Sequence, residues 1–244
     1  MNAAIEDAVA ALELAPAAGA RLARYVELLL AENEHVNLTG ARDAVAVLEH
    51  VRDSLTLAPF ARGPLVDVGS GGGFPAIPLA IVTGITVTLI EATAKKARFL
   101  EAVTRELDLD AVVIAKRAEA AAHDPALRER FASATGRAVA AAPAVLELTL
   151  PFLAIGGVAL LQRGALEYAE RTAAQDAAVA LGGGLLEELA VPRGRVLIVS
   201  KRRSTPERFP RRSGLPVRRP LGASTRASQN GAAGAKRDET DADD

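Results

Sequence analysis

The sequence predicts an α/β fold: a doubly wound, mostly parallel sheet with helices on both faces and an N-terminal helical extension. Three observations carry this. From Pro64 onward, short β-branched runs alternate with helical stretches, the pattern of successive βαβ units. The first of these runs leads into the glycine-rich segment Asp67-Val68-Gly69-Ser70-Gly71-Gly72-Gly73-Phe74-Pro75. Before Pro64 the apolar residues follow helical spacing only.

Taken in order, Leu22, Val26, Leu29 and Leu30 form one apolar helix face. Val47, Leu48, Val51 and Leu55 form another, on a helix that Asp43 is placed to cap. The polar residues 33–42 between them read as a loop. Beyond the break come a strand at 64–68, a helix at 76–82 and a strand at 86–90. An amphipathic helix at 94–107 places Ala97, Leu100, Val103 and Leu107 on one side. Strands follow at 111–115 and, more weakly, at 131–135. A helix at 143–153 should end near Gly156-Gly157, and 158–162 is a strand. The helix at 166–181 is stopped by Gly182 to Gly184, and two further strands cover 185–191 and 195–200. The chain thus divides into a helical extension (1–63), a sheet domain (64–201), a basic segment (202–221) and a tail (222–244). The tail has no apolar period and is expected to be disordered.

Half of the 244 residues are hydrophobic, enough for a sizeable core, and none is Cys. Disulfides, thiolate zinc sites and cysteine nucleophiles are therefore excluded, and the composition suits a reducing, cytoplasmic location. Glu6, Asp7 and Glu13 speak against a signal peptide. The longest apolar run, 77–90, is broken by Thr83, Gly84, Thr86 and Thr88 and is too short to span a bilayer, so no membrane partner is expected. His35, His50 and His123 lack metal-ligand spacing, and no metal is expected. Oligomeric state leaves no signal.

The net charge of −1 hides a local asymmetry. Between Lys201 and Arg219 stand eight basic residues opposed by Glu207 alone, and the last seven residues hold five acids. RNA phosphate is the partner such a basic run suits. Arg202, Arg203, Arg211, Arg212, Arg218 and Arg219 are the candidate contacts, and Phe209 a candidate for stacking on a base. A solvated charged segment is the plainer alternative.

The glycine turn carries the chemistry. A strand that must turn sharply into a helix needs positive φ values, which glycine tolerates, and bare backbone lets a ligand approach. Asp67 can accept hydrogen bonds at the turn, and Glu91, ending the next strand, is placed for two ribose hydroxyls. Two cofactors fit. Gly71 to Ala76 with an acid about 20 residues on also satisfies the dinucleotide fingerprint, which would make an NAD-dependent oxidoreductase. Asp67 two residues before Gly69, the alternation Gly69, Gly71, Gly73, and Pro75 opening the helix favour S-adenosylmethionine. A third reading is a non-catalytic RNA-binding protein with a vestigial nucleotide site.

With the turn in place, the sequence resembles the bacterial small-subunit ribosomal RNA methyltransferase G family, also called glucose-inhibited division protein B. The resemblance spans most of 20–221. It runs through Asn37-Leu38-Thr39, His50 with Asp53-Ser54-Leu55, the 67–75 turn with Ile77-Pro78-Leu79, and Lys95-Lys96 with Arg98-Phe99-Leu100. Arg117-Ala118-Glu119, Arg137-Ala138 and Thr205-Pro206 with Phe209-Pro210-Arg211-Arg212, Gly214 and Pro216 complete it. The resemblance implies a Rossmann-like class I methyltransferase that acts on N7 of a guanosine in small-subunit (16S) ribosomal RNA, free or in a ribosomal particle. It implies that Gly69 and Phe74 line the donor turn with Gly71 and Gly73, and that Ala118 and Glu119 lie at the adenine. It also implies that Glu91 serves the ribose and that Arg137 faces the reacting end. The chain departs from the family at Ala76 (usually Gly), Ala132 (Asp), Gly136 (Ser) and Glu32 (Trp). N7 carries a lone pair and no proton, so no catalytic acid or base is expected. His50 is expected in helix–sheet packing, with Asp53 in pairing reach.

Overall fold

The structure, a computed structural model, describes residues 3–137, 140–192 and 194–222. The tail expected to be disordered lies, from residue 223, outside the described residues. Seven strands form one sheet in the order β3-β2-β1-β4-β5-β7-β6. They are β1 Leu65–Val68, β2 Val87–Ile90, β3 Ala111–Ile114, β4 Phe131–Thr135, β5 Leu153–Arg163, β6 Gly183–Val191 and β7 Gly194–Lys201. The first five run parallel, while β7 is antiparallel to both neighbours. Strand order reverses between β1 and β4, the place where open α/β sheets bind ligands.

The helices are α1 Ala3–Ala10, α2 Pro16–Asn33, α3 Ala44–Leu55, α4 Ala76–Thr83, α5 Ala94–Glu106, α6 Ala118–Ala121, α7 Ala142–Thr149, α8 Tyr168–Ala180 and α9 Leu215–Arg218. Side-chain alternation along the strands feeds two helical layers. Leu65, Val87 and Leu89 pack with Leu22, Val26, Leu29, Val47 and Val51, so the N-terminal helices share a core with the sheet. Val66, Val68 and Ile90 face the opposite layer, with Val145, Leu146, Ala174 and Ala177. Asp43 caps α3 as expected, accepting from Ala46 N at 2.8 Å. Among the described residues no helix is long and apolar enough to cross a membrane.

Among the boundaries that differ from the sequence reading, which include β6 starting at Gly183 inside the expected glycine stop, two have a local cause. The helix expected over 143–153 stops at Thr149, followed by a short 3-10 turn at Leu150–Phe152. Pro151 has no N–H to continue the ladder. Gly156-Gly157 lies inside β5, where the pairing with β4 shifts register. A Cβ on Gly157 would stand 2.9 Å from Ala154 O and 3.0 Å from Phe131 O, so the irregularity requires glycine. Neither α1, α6 nor α9 was signalled by apolar spacing.

The basic segment is a strap, not a free arm. Because β7 runs antiparallel, Lys201 leaves the sheet at the amino ends of the parallel strands, opposite the reversal point. Its buried ammonium donates to Leu150 O at 2.7 Å and to the Thr205 hydroxyl. Burial lowers the Lys201 pKa to about 8, against the opposing pull of Glu129. From there the chain climbs the outer layer. Arg128 donates to the carbonyls of Thr205 and Phe209, at 2.8 and 2.9 Å. Phe209 is 5% exposed and joins the core, a burial worth roughly 1.5–3 kcal/mol.

Candidate functional site

The strand β1 ends at Val68, and the glycine turn follows at the reversal point. Gly69, Gly71 and Gly73 have φ of 72°, 55° and 101°, the left-handed region that an L side chain resists. A Cβ on Gly73 would also collide with Ile77 Cδ1. Glu91, at the end of β2, holds the turn: its Oε2 accepts from Gly71 N at 3.0 Å and its Oε1 from Thr93 N at 2.7 Å. Behind it, the Tyr25 hydroxyl donates to Gly72 O at 2.7 Å. Burial holds that phenol well above its usual pKa of 10.

Asp67 is fully buried below the turn. Its Oδ1 accepts from the Thr135 hydroxyl at 2.7 Å, tying β1 to β4, while Oδ2 has no hydrogen-bond partner among the described residues. Burial raises its pKa to about 7, with the Thr135 hydroxyl pulling the other way.

A cavity of about 380 Å³ opens over the turn, lined by Leu38, Thr39, Gly40, His50, Gly69 to Gly72, Phe74, Lys96 and Arg137. Asn33 shapes its far wall. The buried amide donates to Thr39 O and Ala41 O and accepts from Leu38 N and Thr39 N, so one side chain folds the whole loop. Phe74 stands at the centre. Tyr25 and His50 meet its ring edge-on at 5.6 and 5.4 Å, and the Arg137 guanidinium lies 5.7 Å from it. Arg137 donates to His50 Nδ1 at 2.6 Å, which places the imidazole proton on Nε2, and its guanidinium reaches Asp53 at 4.0 Å. His50 is therefore more than a packing residue: it helps to fix Arg137 at the cleft.

Past Arg137 the cleft continues into a second polar cavity of about 320 Å³, with Asp53, Gln162, Arg163 and Arg195 on its walls. Asp53 comes from α3, Gln162 and Arg163 from the carboxyl end of β5, and Arg195 from the start of β7. The sequence reading names Asp53 but misses Gln162, Arg163 and Arg195, because two strands contribute them and no local motif joins them.

Of the residues predicted for the cofactor, Gly69, Gly71, Phe74 and Arg137 line the first cavity. Asp67, Gly73 and Glu91 support it from behind. Ala118 and Glu119 stand apart on α6, which follows β3 beside the strand carrying Glu91. Glu119 is 6% exposed, and its Oε1 accepts from Gly214 N at 2.7 Å. Among the departures, Gly136 has a local reason. A Cβ there would sit 2.9 Å from Val145 Cγ1. No group of three or more His, Cys, Asp or Glu is placed to hold a metal among the described residues.

The six predicted RNA-contacting arginines separate. Arg211 faces inward: its guanidinium grips the fully buried Glu147 through contacts of 2.6–3.1 Å, and its own N–H bonds the same carboxylate at 2.8 Å. Arg202 and Arg203 follow Lys201 at the edge of the sheet opposite the cleft. Arg212, Arg218 and Arg219 are exposed on the upper part of the strap. Phe209, buried in the core, has no face left for a base.

A family model described as rRNA small subunit methyltransferase G matches residues 19–193. A ribosomal RNA small subunit methyltransferase G from Leuconostoc mesenteroides is 40% identical over 212 residues, covering 81% of this chain and 89% of that protein. One from Rubrobacter xylanophilus is 42% identical over 210 residues, 80% of each chain.

Proposed function

The chain belongs to the rRNA small subunit methyltransferase G family, and from that premise we propose that it transfers a methyl group from S-adenosylmethionine to N7 of a guanosine in small-subunit ribosomal RNA. The observation that carries the reading is the glycine turn at the strand-order reversal, backed by Glu91, inside the stretch the family model covers. Membership also selects this reading over the dinucleotide one and over a non-catalytic RNA-binding protein.

The residues fit the donor. Three left-handed glycines leave bare backbone where a Cβ on Gly73 would collide with Ile77, and the cavity above them is open. Gly69, Gly71 and Phe74 would hold the donor at the turn, Glu91 its ribose, Ala118 and Glu119 its adenine, and Arg137 its carboxylate. When bound, S-adenosylmethionine supplies a methyl carbon made electrophilic by a positive sulfur.

What the chain itself must do is position. N7 has an in-plane lone pair and no proton, so no general base has to act before attack. Holding the base in line and excluding water can supply on the order of 7–11 kcal/mol of barrier reduction at best. The second cavity beyond Arg137 offers the acceptor base a seat beside the donor turn. Arg137 is held by His50 and Asp53 rather than aimed at N7, where its charge would oppose the charge the base gains. Exposed arginines on the strap would meet the phosphates of the RNA or of the ribosomal particle.

The test is mass spectrometry of small-subunit RNA from cells with and without the protein. Loss of one 7-methylguanosine in its absence is the expected result. An unchanged content overturns the assignment.

A further inference from the structure

We propose that the turn Arg212–Arg218 of the strap is a phosphate seat that positions α6, so that RNA and S-adenosylmethionine bind with positive coupling. This rests on the methyltransferase reading above.

Arg212 and Arg218 line a small open cavity of about 280 Å³ with Ser213 and Leu215. Both are exposed, and no ion pair holds either among the described residues. The turn that carries them is already closed. Leu215 N donates to Arg212 O at 3.0 Å, Arg218 N to Gly214 O at 3.1 Å and Arg219 N to Leu215 O at 2.9 Å. Below it, Arg211 joins Glu147 to Arg219 O, the latter at 2.8 Å. Two guanidiniums on one hydrogen-bonded turn suit phosphate oxygens.

The same turn touches the cofactor side through one peptide unit. The Arg218 Cζ lies 3.9 Å from where a Cβ on Gly214 would stand, so the guanidinium folds over that residue. The Gly214 N–H is the group that holds Glu119 Oε1 at 2.7 Å. Helix α6 is only four residues long, and the strap ties the chain just beyond it a second time, His123 Nε2 to Pro210 O at 2.9 Å. So short a helix takes its position from such ties rather than from its own hydrogen bonds.

The sign follows from charge and ordering. A phosphate neutralises the repulsion between Arg212 and Arg218 and so favours the closed form of the Gly214 turn over open ones. Glu119 and Ala118 are then ordered before the adenosyl group arrives, and the cofactor meets less of the ordering cost. Reciprocity requires that the cofactor tighten RNA by the same factor.

The test measures S-adenosylmethionine affinity calorimetrically on the full chain, without RNA and with a saturating small-subunit RNA fragment. The wild type is compared with R212Q/R218Q. RNA is expected to tighten the wild type roughly 5-fold or more, the lower end of ordinary coupling. The double variant should keep the RNA-free affinity and lose the tightening, even at RNA concentrations raised to restore saturation. A wild-type affinity that RNA does not move, or a tightening that survives in the variant, overturns the proposal alone. A protein that binds no S-adenosylmethionine in either state overturns the methyltransferase reading and takes this proposal with it.

Discussion

The glycine turn and the C-terminal strap are both dense in one residue type, and the structure treats the two very differently. In the turn, sequence density and site coincide. Gly69, Gly71 and Gly73 adopt backbone conformations that demand glycine, and the acids predicted around them, Asp67 and Glu91, both touch the turn or its strand. In the strap, neighbouring arginines have unrelated roles. Arg211 is sealed against Glu147, Arg212 is exposed beside it, and Arg202 and Arg203 sit at the other edge of the sheet. Glycine density reports a backbone constraint, which is local. Arginine density reports charge, and charge alone does not say which way a side chain faces. Three experiments sharpen the contrast.

The largest effect is expected from removing residues 202–221. Read as a charged arm, this segment should matter for RNA methylation more than for cofactor binding. Read as a strap, it should matter for both. Its loss uncovers the Phe209 pocket, strands the buried carboxylate of Glu147, frees Glu119 from Gly214 and takes the Thr205 hydroxyl from Lys201. Leaving one buried charge unpaired costs about 3–5 kcal/mol, a large fraction of the 5–15 kcal/mol that holds a typical domain folded. A thermal melt and S-adenosylmethionine calorimetry on the truncated chain should therefore show lost cooperativity and lost binding together. A truncated chain that melts like the wild type and binds the cofactor normally would return the segment to the status of an arm.

A smaller effect separates the buried charges of the two regions. Glu147 in the strap layer is fully partnered, whereas Asp67 under the turn keeps an oxygen without one. Burial raises the Asp67 carboxyl to about 7, above the unfolded value near 4. Between those two pH values the native protein holds a proton that the unfolded chain releases. Its contribution to stability is complete below about pH 4 and declines as pH rises toward 7. Asp67→Asn removes that decline. The stability difference between variant and wild type should shift in the variant's favour by about 1 kcal/mol per pH unit through this window. Denaturant midpoints at several pH values measure it, and parallel profiles would show that Asp67 ionises normally.

Much of this was legible from the sequence. The strands 65–68, 87–90, 111–114 and 131–135, the Asp43 cap and the glycine turn all rest on signals within a dozen residues. The misreadings share a cause. Gly156-Gly157 punctuates a strand instead of ending a helix because its constraint comes from Phe131 O on the neighbouring strand. Spacing pairs His50 with Asp53, three residues away, but gives no sign of Arg137, which arrives from the carboxyl end of β4. Gln162, Arg163 and Arg195 gather beside it only once β7 pairs with β5. The sequence spacing contains no trace of an antiparallel return.

That antiparallel return yields the smallest and most discriminating prediction. Arg202 and Arg203 belong to the same basic run as Arg212 and Arg218, and a count of charge gives all four equal weight. Topology does not. Because β7 descends, Lys201 pairs with Gly183 and bonds Leu150 just ahead of β5, and the two arginines emerge at the amino ends of the parallel strands. The donor turn is at the carboxyl ends, separated from them by the length of the sheet, beyond the roughly 8 Å over which exposed charges act at physiological salt. Arg202→Gln with Arg203→Gln should change kcat/KM for RNA methylation by less than about 2-fold, and the slope of RNA affinity against salt should stay put. The same substitutions at Arg212 and Arg218 should flatten that slope, since each lost phosphate contact removes about 0.7–0.9 from it. Equal flattening by both pairs would mean that RNA wraps the sheet from edge to edge. The strap would then act along its whole length as the sequence alone suggests.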